Sequence, residues 1–209
     1  MDIIHLVRHG ESLGNVEPAR FRRGDPPLTP RGCEQAARVA EELRHSGICA
    51  VFSSPLRRAV ETAEVIAASA GLETQGTSGF HEVDMGRLSN PETAEARVER
   101  DAIFSAWLAG DYRQGFPGGE DFAAVMRRVR AALGAVVQSV GADARVAVVS
   151  HRMAIAAAAA LCQPAGAAVK PGGCPNCSIT TLRWEDTGLW HLVAWGALGL
   201  GGASPRGDG

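Results

Sequence analysis

The chain has 209 residues, of which 45% are hydrophobic and 21% are charged, and this length and composition fit one compact domain with a sizeable core. The formal net charge of -2 and the pI near 6.3 exclude a general attraction to nucleic acid or to an anionic membrane. An anion-binding site in this protein must therefore come from a local cluster of cations.

The sequence predicts neither an N-terminal targeting segment nor a membrane span. The N-terminal segment has an early acid and only a short apolar run, which fits neither a signal peptide nor a transit peptide. The apolar run over residues 154–162 is about half as long as a membrane span requires. The five cysteines are odd in number and mostly lie in apolar surroundings, which predicts reduced, buried thiols without a disulfide. We therefore expect a cytoplasmic protein.

Strand and helix patterns alternate in the N-terminal third of the chain. Residues 3–7 form a β-branched run that ends at Arg8, which predicts a buried strand leading into a loop. Thr29 and Pro30 are typical of a helix start. Residues 49–53 predict a second strand and residues 56–70 a second helix. Apolar side chains recur at helical spacing at Ala36, Val39, Ala40 and Leu43 in the first helix, and at Ala59, Ala63 and Ile66 in the second. This alternation predicts an α/β fold with a largely parallel sheet.

The rest of the chain adds an insertion, a third strand and a hairpin. Residues 81–120 interrupt the alternation and predict a helical insertion over the active site. Apolar residues at helical spacing follow over 122–140, and a third buried strand over 146–149 delivers Ser150-His151. Two strands, 179–184 and 190–195, flank a turn. We predict one domain over residues 1–198, built as a three-layer sandwich with a mostly parallel central sheet flanked by helices, and a disordered tail over 199–209.

The first strand ends in residues that can handle a phosphate. Arg8, His9, Gly10 and Glu11 place a cation, an imidazole, a flexible residue and a carboxylate at one strand end, where ligands bind in α/β folds. An imidazole can be a nucleophile, and a guanidinium can hold two phosphate oxygens. These four residues alone do not decide between a phosphate site and a structural role, in which His9 is a loop histidine with its hydrogen bonds satisfied and Arg8 forms an ordinary salt bridge.

A longer series of motifs resolves this ambiguity, because the whole chain resembles the histidine phosphatase superfamily, also called the phosphoglycerate mutase-like family. A lone Arg-His-Gly is weak evidence, whereas a series of motifs in family order over residues 3 to 182 is specific. The matching residues are Leu6 to Ser12 with Asn15, Leu28-Thr29 with Gly32, Gln35-Ala36, Ser53 to Leu56, Arg58-Ala59 with Thr62-Ala63, Glu82 with Gly86, Pro117 to Glu120, Val149 to His151, and Asn176 with Ser178.

The resemblance implies a role for each residue of the core site and a phosphoglycerate mutase-like fold. His9 would be the nucleophile that forms a phosphohistidine, and Arg8, Arg58 and His151 would surround the transferring phosphoryl group and neutralise its charge. Glu82 would protonate the leaving oxygen and then activate the attacking water. Since phosphoryl transfer depends mainly on positioning and electrostatics, we expect no metal and no other cofactor.

Further residues are candidates for holding phosphate or the remainder of the substrate. The resemblance implies that Asn15 helps to hold phosphate. Arg20, Arg22 and Arg23 could bind a second anionic group, although loop arginines are more often merely solvated. Arg152 stands where the family commonly has glycine, so the pocket near the second histidine would be narrower or more cationic than usual, with Arg152 itself a candidate for substrate binding.

The leading interpretation is a metal-independent phosphomonoesterase that hydrolyses a small phosphorylated metabolite. A phosphoglycerate mutase-type phosphotransferase is an alternative, but the chain between Glu82 and His151 is short for a substrate-enclosing insert. A phosphohistidine or phosphoprotein phosphatase needs an open site, against which the insertion counts. A non-catalytic phosphate-binding module also stays open because of Arg152. The oligomeric state is open as well, and a homodimer is one alternative.

Cys174-Pro-Asn-Cys177 has the spacing of a metal-ligand or redox pair. The chain has no second such pair, and the segment leads into a strand instead of opening a helix. We therefore assign no metal or redox role to it.

Overall fold

The computed structural model describes residues 2–17, 24–89, 93–163, 174–185 and 188–200, and it consists of one mixed sheet with helices on both faces. The strands are β1 (Ile3–Arg8), β2 (Ala50–Ser53), β3 (Thr74–Gly76), β4 (Arg145–Ser150), β5 (Ile179–Trp184) and β6 (Trp190–Ala197). The helices are α1 (Leu13–Val16), α2 (Pro30–Arg44), α3 (Arg57–Ala70), α4 (Ala94–Leu108), α5 (Phe122–Ser139) and α6 (Arg152–Ala160), with a 3₁₀ turn at Gly86–Leu88.

The six strands follow the order β3-β2-β4-β1-β5-β6. The pairs β1 with β4, β4 with β2, and β2 with β3 are parallel, and β5 is antiparallel to both of its neighbours, β1 and β6. In the register of β1 and β4, Arg8 lies beside Ser150, and the backbone N–H of His9 donates to the carbonyl of Ser150 at 3.0 Å. The next residue on each strand is a histidine, so the sheet itself brings His9 and His151 together.

Each face of the sheet carries its own hydrophobic core. Successive side chains of a strand point to opposite faces. Accordingly, Ile4 and Leu6 pack on the face covered by α5 and α6, while Val7 packs on the face covered by α2 and α3. This arrangement confirms the predicted three-layer α/β sandwich.

The helix start predicted at Thr29 is confirmed, since the Thr29 hydroxyl accepts a hydrogen bond from the N–H of Gly32 at 3.0 Å. Besides the four-residue α1, two elements were not predicted. β3 has only three residues, Thr74–Gly76, and no apolar alternation that would mark it. Every residue of α6 after Arg152 is buried, so the helix lacks the two-sided pattern by which surface helices are recognised.

The expectation of buried thiols holds for Cys174 and Cys177 but is wrong for Cys33 and Cys49, which are exposed. Cys33 lies on the solvent side of α2, between the buried positions Gly32 and Ala36. Cys49 is in the loop that leads into β2.

The predicted insertion contains α4, and its aromatic side chains attach it to α5. Trp107 lies 5.2 Å, between ring centroids, from both Phe116 and Phe122. Within the described parts of the chain, no helix is both long and apolar enough to cross a bilayer. At the C-terminal end, the N–H of Leu200 donates to Glu42 at 2.8 Å, whereas 201–209 lie outside the described residues, so disorder there stays a prediction.

Buried His5 should make the fold sensitive to acid independently of the active site. Burial, aided by the charge of Arg145, lowers the pKa of His5 from 6.5 to about 4. Between these two pH values, His5 binds a proton in the unfolded chain but not in the folded chain. Stability therefore rises with pH through this window and is lost as the pH falls. For His5→Gln we expect the loss of unfolding free energy between pH 7.5 and pH 5 to be about 2 kcal/mol smaller than for wild type. Urea unfolding at both pH values measures this, and parallel pH curves would contradict it.

Candidate active site

His9 is buried at the end of β1, and its hydrogen bonds define its tautomer. Its Nδ1 lies 2.7 Å from the carbonyl oxygen of Gly10, which can only accept, so Nδ1 carries the proton. The Nε atom of Arg58 donates to the His9 Nε2 at 3.1 Å, which requires a lone pair on Nε2. Both contacts indicate the same tautomer, and the ring presents Nε2 as its nucleophilic atom.

The surroundings of His9 keep its ring neutral. Burial, followed by the charge of Arg58, lowers the pKa of His9 to about 3, and the charge of Arg8 acts in the same direction. The hydrogen bond to Gly10 opposes this shift without cancelling it. Nε2 is therefore unprotonated in the free protein at any ordinary pH.

Arg58, near the start of α3, connects the two histidines. Besides its contact with His9, its second terminal nitrogen donates to Nδ1 of His151 at 3.2 Å. Its first terminal nitrogen lies 3.7 Å from a carboxylate oxygen of Asp25. The other carboxylate oxygen of Asp25 accepts from the backbone N–H of Arg57 at 2.6 Å, which ties the start of the helix to the same residue. The sequence analysis did not identify Asp25.

His151 is fully buried at the end of β4, with its ring centroid 5.0 Å from that of His9. Because Arg58 can only donate, Nδ1 of His151 accepts, and Nε2 donates to the Ser54 hydroxyl at 2.8 Å. Burial, followed by the charges of the other site residues, lowers the pKa of His151 well below its usual value. This ring is also neutral in the free protein.

The backbone of residues 174–178 anchors Arg8 and His9. A terminal nitrogen of Arg8 donates to the carbonyl of Cys174 at 2.7 Å, and the N–H of Cys177 donates to the carbonyl of Arg8 at 2.9 Å. The side-chain amide of Asn176 donates to the carbonyl of His9 at 2.9 Å. The Cys-Pro-Asn-Cys segment thus supports the site through its backbone and Asn176. Asn176 was part of a recognised motif, but no role had been assigned to it.

Gly10 is required because the chain packs against another backbone there. A Cβ atom at Gly10 would lie 2.6 Å from the carbonyl oxygen of Gly32, and one at Gly32 would collide with the carbonyl oxygen of Glu11. The N–H of Gly10 donates to the hydroxyl of Thr62 at 3.0 Å, and that hydroxyl donates to the carbonyl of Arg58 at 2.8 Å. Thr62 therefore couples the His9 loop to the helix that carries Arg58.

Burial lowers the pKa values of Arg8 and Arg58, and Glu82 lies close enough to the site that its charge opposes this shift. One of its carboxylate oxygens, Oε1, accepts from the N–H of Val83 at 2.9 Å and from the N–H of Met153 in the first turn of α6 at 3.1 Å. Among the described residues, none donates to the second oxygen, Oε2. The carboxylate is thus held by one oxygen, and the other is available for proton transfer.

The remaining candidates differ in how far the structure tests them. Asn15 is exposed in α1, and its side-chain oxygen accepts from the N–H and the hydroxyl of Ser12 at 2.9 and 3.1 Å, so these contacts cap the start of its own helix. Arg152 is exposed at the start of α6, where its charge acts on Arg8. Arg22, with Arg20 and Arg23, lies outside the described residues.

The structure therefore brings together Arg8, His9, Arg58, Glu82 and His151, as the sequence predicts. The site combines a neutral imidazole with an available lone pair, two permanent cations and one carboxylate. Guanidinium groups match the oxygens of a phosphoryl group in charge and shape. The fold and the site together define an α/β protein equipped for phosphoryl transfer.

Comparison with known proteins gives the family. The model of the histidine phosphatase superfamily (branch 1) matches residues 4–198, and the chain belongs to this superfamily. It is 32% identical over 194 residues to "Probable phosphoglycerate mutase GpmB" of Salmonella paratyphi B (strain ATCC BAA-1250 / SPB7), covering 92% of this chain and 89% of the relative. These relationships indicate catalysis of the phosphatase or mutase kind.

Solved structures agree with this assignment. "Mycobacterial hydrolase 1" is 31% identical with a TM-score of 0.78, and the match covers 93% of this chain and 98% of that chain. Mycobacterial glucosyl-3-phosphoglycerate phosphatase in complex with VO3 is 30% identical with a TM-score of 0.75, and the match covers 92% and 98%.

Arg8 and Arg58 should act chiefly in the transition state, where the charge on the phosphoryl oxygens is greatest. Lysine has a single nitrogen and cannot make the set of contacts seen for Arg58. We expect Arg8→Lys and Arg58→Lys each to lower kcat/KM for a phosphate monoester by on the order of 2 to 4 kcal/mol. Arg57→Lys is the matched control, because Arg57 is the neighbouring exposed residue and pairs with Glu61 instead. Similar rates for Arg57→Lys and Arg58→Lys would mean that the phosphate lies elsewhere.

Proposed function

We propose that this protein is a metal-independent phosphomonoesterase that hydrolyses a small phosphorylated metabolite through a phosphohistidine on His9. The observation that carries the proposal is the pair of hydrogen bonds on His9, from Nδ1 to the Gly10 carbonyl and from Arg58 to Nε2. They leave Nε2 unprotonated and surrounded by cations, which is what a nucleophile toward a phosphate dianion requires.

In the first step, Nε2 of His9 attacks phosphorus and the bond from phosphorus to the ester oxygen breaks. The leaving oxygen takes the electron pair of that bond and a proton from Glu82. In the second step, water attacks the phosphorus of phosphohistidine, its proton passes to Glu82, and the bond from phosphorus to nitrogen breaks. His9 regains its lone pair and inorganic phosphate is released, so Glu82 ends in its starting protonation state.

The cations supply the remaining requirements of the reaction. Donors now directed at the histidines, above all those of Arg58, would turn to the oxygens of a bound phosphoryl group. Phosphoryl transfer is catalysed chiefly by such positioning and by neutralising charge on the equatorial oxygens. Arg8 and Arg58 can provide this charge, so the proposed mechanism needs no metal.

The names of the relatives support a phosphorylated metabolite as the substrate. One similar structure is a phosphatase for glucosyl-3-phosphoglycerate, and the curated relative described above is named a probable phosphoglycerate mutase. Both names refer to small phosphate esters, which agrees with the proposed substrate class.

A mutase is the second candidate, because the curated relative carries that name. Both activities share the first step and differ in whether phosphohistidine gives its phosphoryl group to water or to a second hydroxyl. Incubation with 3-phosphoglycerate separates them: a phosphatase releases inorganic phosphate, whereas a mutase accumulates 2-phosphoglycerate with little phosphate.

Phosphohistidine formation can be tested directly. Wild type is incubated with a monoester labelled in its phosphoryl group, and the reaction is stopped rapidly with base. The protein should then retain a phosphoryl group that is stable in base and lost in acid. His9→Ala should retain none, because the nucleophile is absent, and its far-UV circular dichroism checks that it is folded. Activity toward p-nitrophenyl phosphate should be unchanged by a chelator. Detection of a base-labile phosphoserine, or loss of all activity with the chelator, would contradict the proposal.

The leaving group reveals whether Glu82 is the acid. An alkoxide needs a proton as it departs, whereas p-nitrophenolate needs little help. Glu82→Gln keeps the size of the side chain and one acceptor for Val83 and Met153, but it cannot deliver the proton. We expect it to slow the single-turnover phosphorylation by an alkyl phosphate by about a hundredfold, and that by p-nitrophenyl phosphate far less. Equal losses would assign Glu82 to binding or folding.

A further inference from the structure

The loop of residues 79–84, here called the Glu82 loop, is fixed to α5 by one arginine. A terminal nitrogen of Arg128 donates to the carbonyl of Gly79 at 2.6 Å and to that of His81 at 2.9 Å. The other terminal nitrogen lies 3.4 Å from the carbonyl of Glu82 itself. The guanidinium therefore contacts the backbone of Glu82 and of the residue before it.

Glu120 binds the same guanidinium from the opposite side, and Arg128 and Glu120 are together called the clamp. Its two carboxylate oxygens accept from Nε of Arg128 at 2.7 Å and from a terminal nitrogen at 3.0 Å. One of these oxygens also accepts from the N–H of Asp84 at 2.9 Å, while the N–H of Glu120 donates to the carbonyl of Asp84 at 2.8 Å. Glu82 thus lies between two anchored stretches of backbone.

The clamp is largely shielded from water, with the side chains of Arg128 and Glu120 only 16% and 19% exposed. Burial by itself would raise the pKa of Glu120, but the hydrogen bonds from Arg128 and Asp84 outweigh it and lower that pKa. Both partners are therefore charged at neutral pH, and a partly buried bidentate ion pair holds a more defined geometry than an exposed one.

Close packing shows that the Glu82 loop and α5 fit each other. Gly79 has a φ of +95°, and a Cβ atom there would lie 2.8 Å from the Cβ of Ala132 on α5. The backbone of the loop therefore approaches the helix as closely as a glycine permits.

We propose that Arg128, together with Glu120, is a positioning residue that holds the Glu82 carboxylate at the correct position relative to His9 and the leaving oxygen. This inference rests on the proposed role of Glu82 as acid and base. Among the described residues, the hydrogen bonds of Arg128 are made with the Glu82 loop and Glu120, and none is made with the four other core site residues, so its effect on catalysis would pass through Glu82. A carboxylate displaced by even about 1 Å loses much of its efficiency in proton transfer.

The leaving-group assay separates this role from a general structural one. Arg128→Met should slow single-turnover phosphorylation by an alkyl phosphate about tenfold, and by p-nitrophenyl phosphate less than about threefold, since only the alkoxide needs the proton. Arg130→Met is the matched control, because Arg130 is exposed on the same helix, and we expect it to leave both rates unchanged.

A double-mutant cycle then tests whether Arg128 acts through Glu82. In a Glu82→Gln background, Arg128→Met should slow the alkyl phosphate by less than about threefold, because the proton donor has already been removed. Multiplicative losses, or equal losses on both substrates, would overturn the proposal. If Glu82→Gln itself shows no leaving-group dependence, the acid assignment fails, which is a separate result.

Removal of Arg128 leaves the charge of Glu120 uncompensated, and this can prevent folding. Arg128→Lys keeps the charge and cannot form the bidentate pair together with the carbonyl contacts. Arg128→Lys should also slow phosphorylation by the alkyl phosphate more than that by p-nitrophenyl phosphate, but by a smaller factor than Arg128→Met, and its circular dichroism should be unchanged. Wild-type rates of Arg128→Lys on the alkyl phosphate would also overturn the proposal.

Discussion

The hydrogen bond between Arg58 and Nε2 of His9 is the interaction on which the rest of the site depends. It can form only when Nδ1 carries the imidazole proton, and the Gly10 carbonyl holds it there. Burial and the neighbouring cations make protonation of the ring unfavourable, so the same surroundings that would attract a phosphate also keep the nucleophile neutral. A buried imidazole between two guanidinium groups is thus ready for attack without a separate base.

Much of the molecule serves to hold these charges in place against their mutual repulsion. Arg8 is fixed by the carbonyl of Cys174, and Arg58 faces the carboxylate of Asp25. Thr62 connects the His9 loop to α3, and Asn176 holds the carbonyl of His9. Each contact restricts a group whose position would otherwise relax, so the cost of assembling like charges is met by folding, before any substrate binds.

The carboxylate that we propose as acid and base comes from a different part of the fold. Arg8 ends β1 and the two histidines directly follow β1 and β4, whereas Glu82 belongs to a loop that is attached to α5 and to the first turn of α6. The cations proposed to bind phosphate and the carboxylate proposed to transfer protons are therefore held by separate sets of contacts.

The sequence by itself determined the alternation of strands and helices and the positions of α2 and α3, because these depend on local periodicity and, at Thr29, on capping. The five residues of the proposed core site were identified through the resemblance of their motifs to a known family. Only the tertiary structure showed the partners Asp25 and Cys174 and the clamp of Arg128 and Glu120. Their contacts span 32 residues between Asp25 and Arg57, 166 between Arg8 and Cys174, and 49 between Gly79 and Arg128. A surface arginine and one that binds backbone carbonyls have the same side chain, and only the path of the folded chain decides which carbonyls lie within its reach.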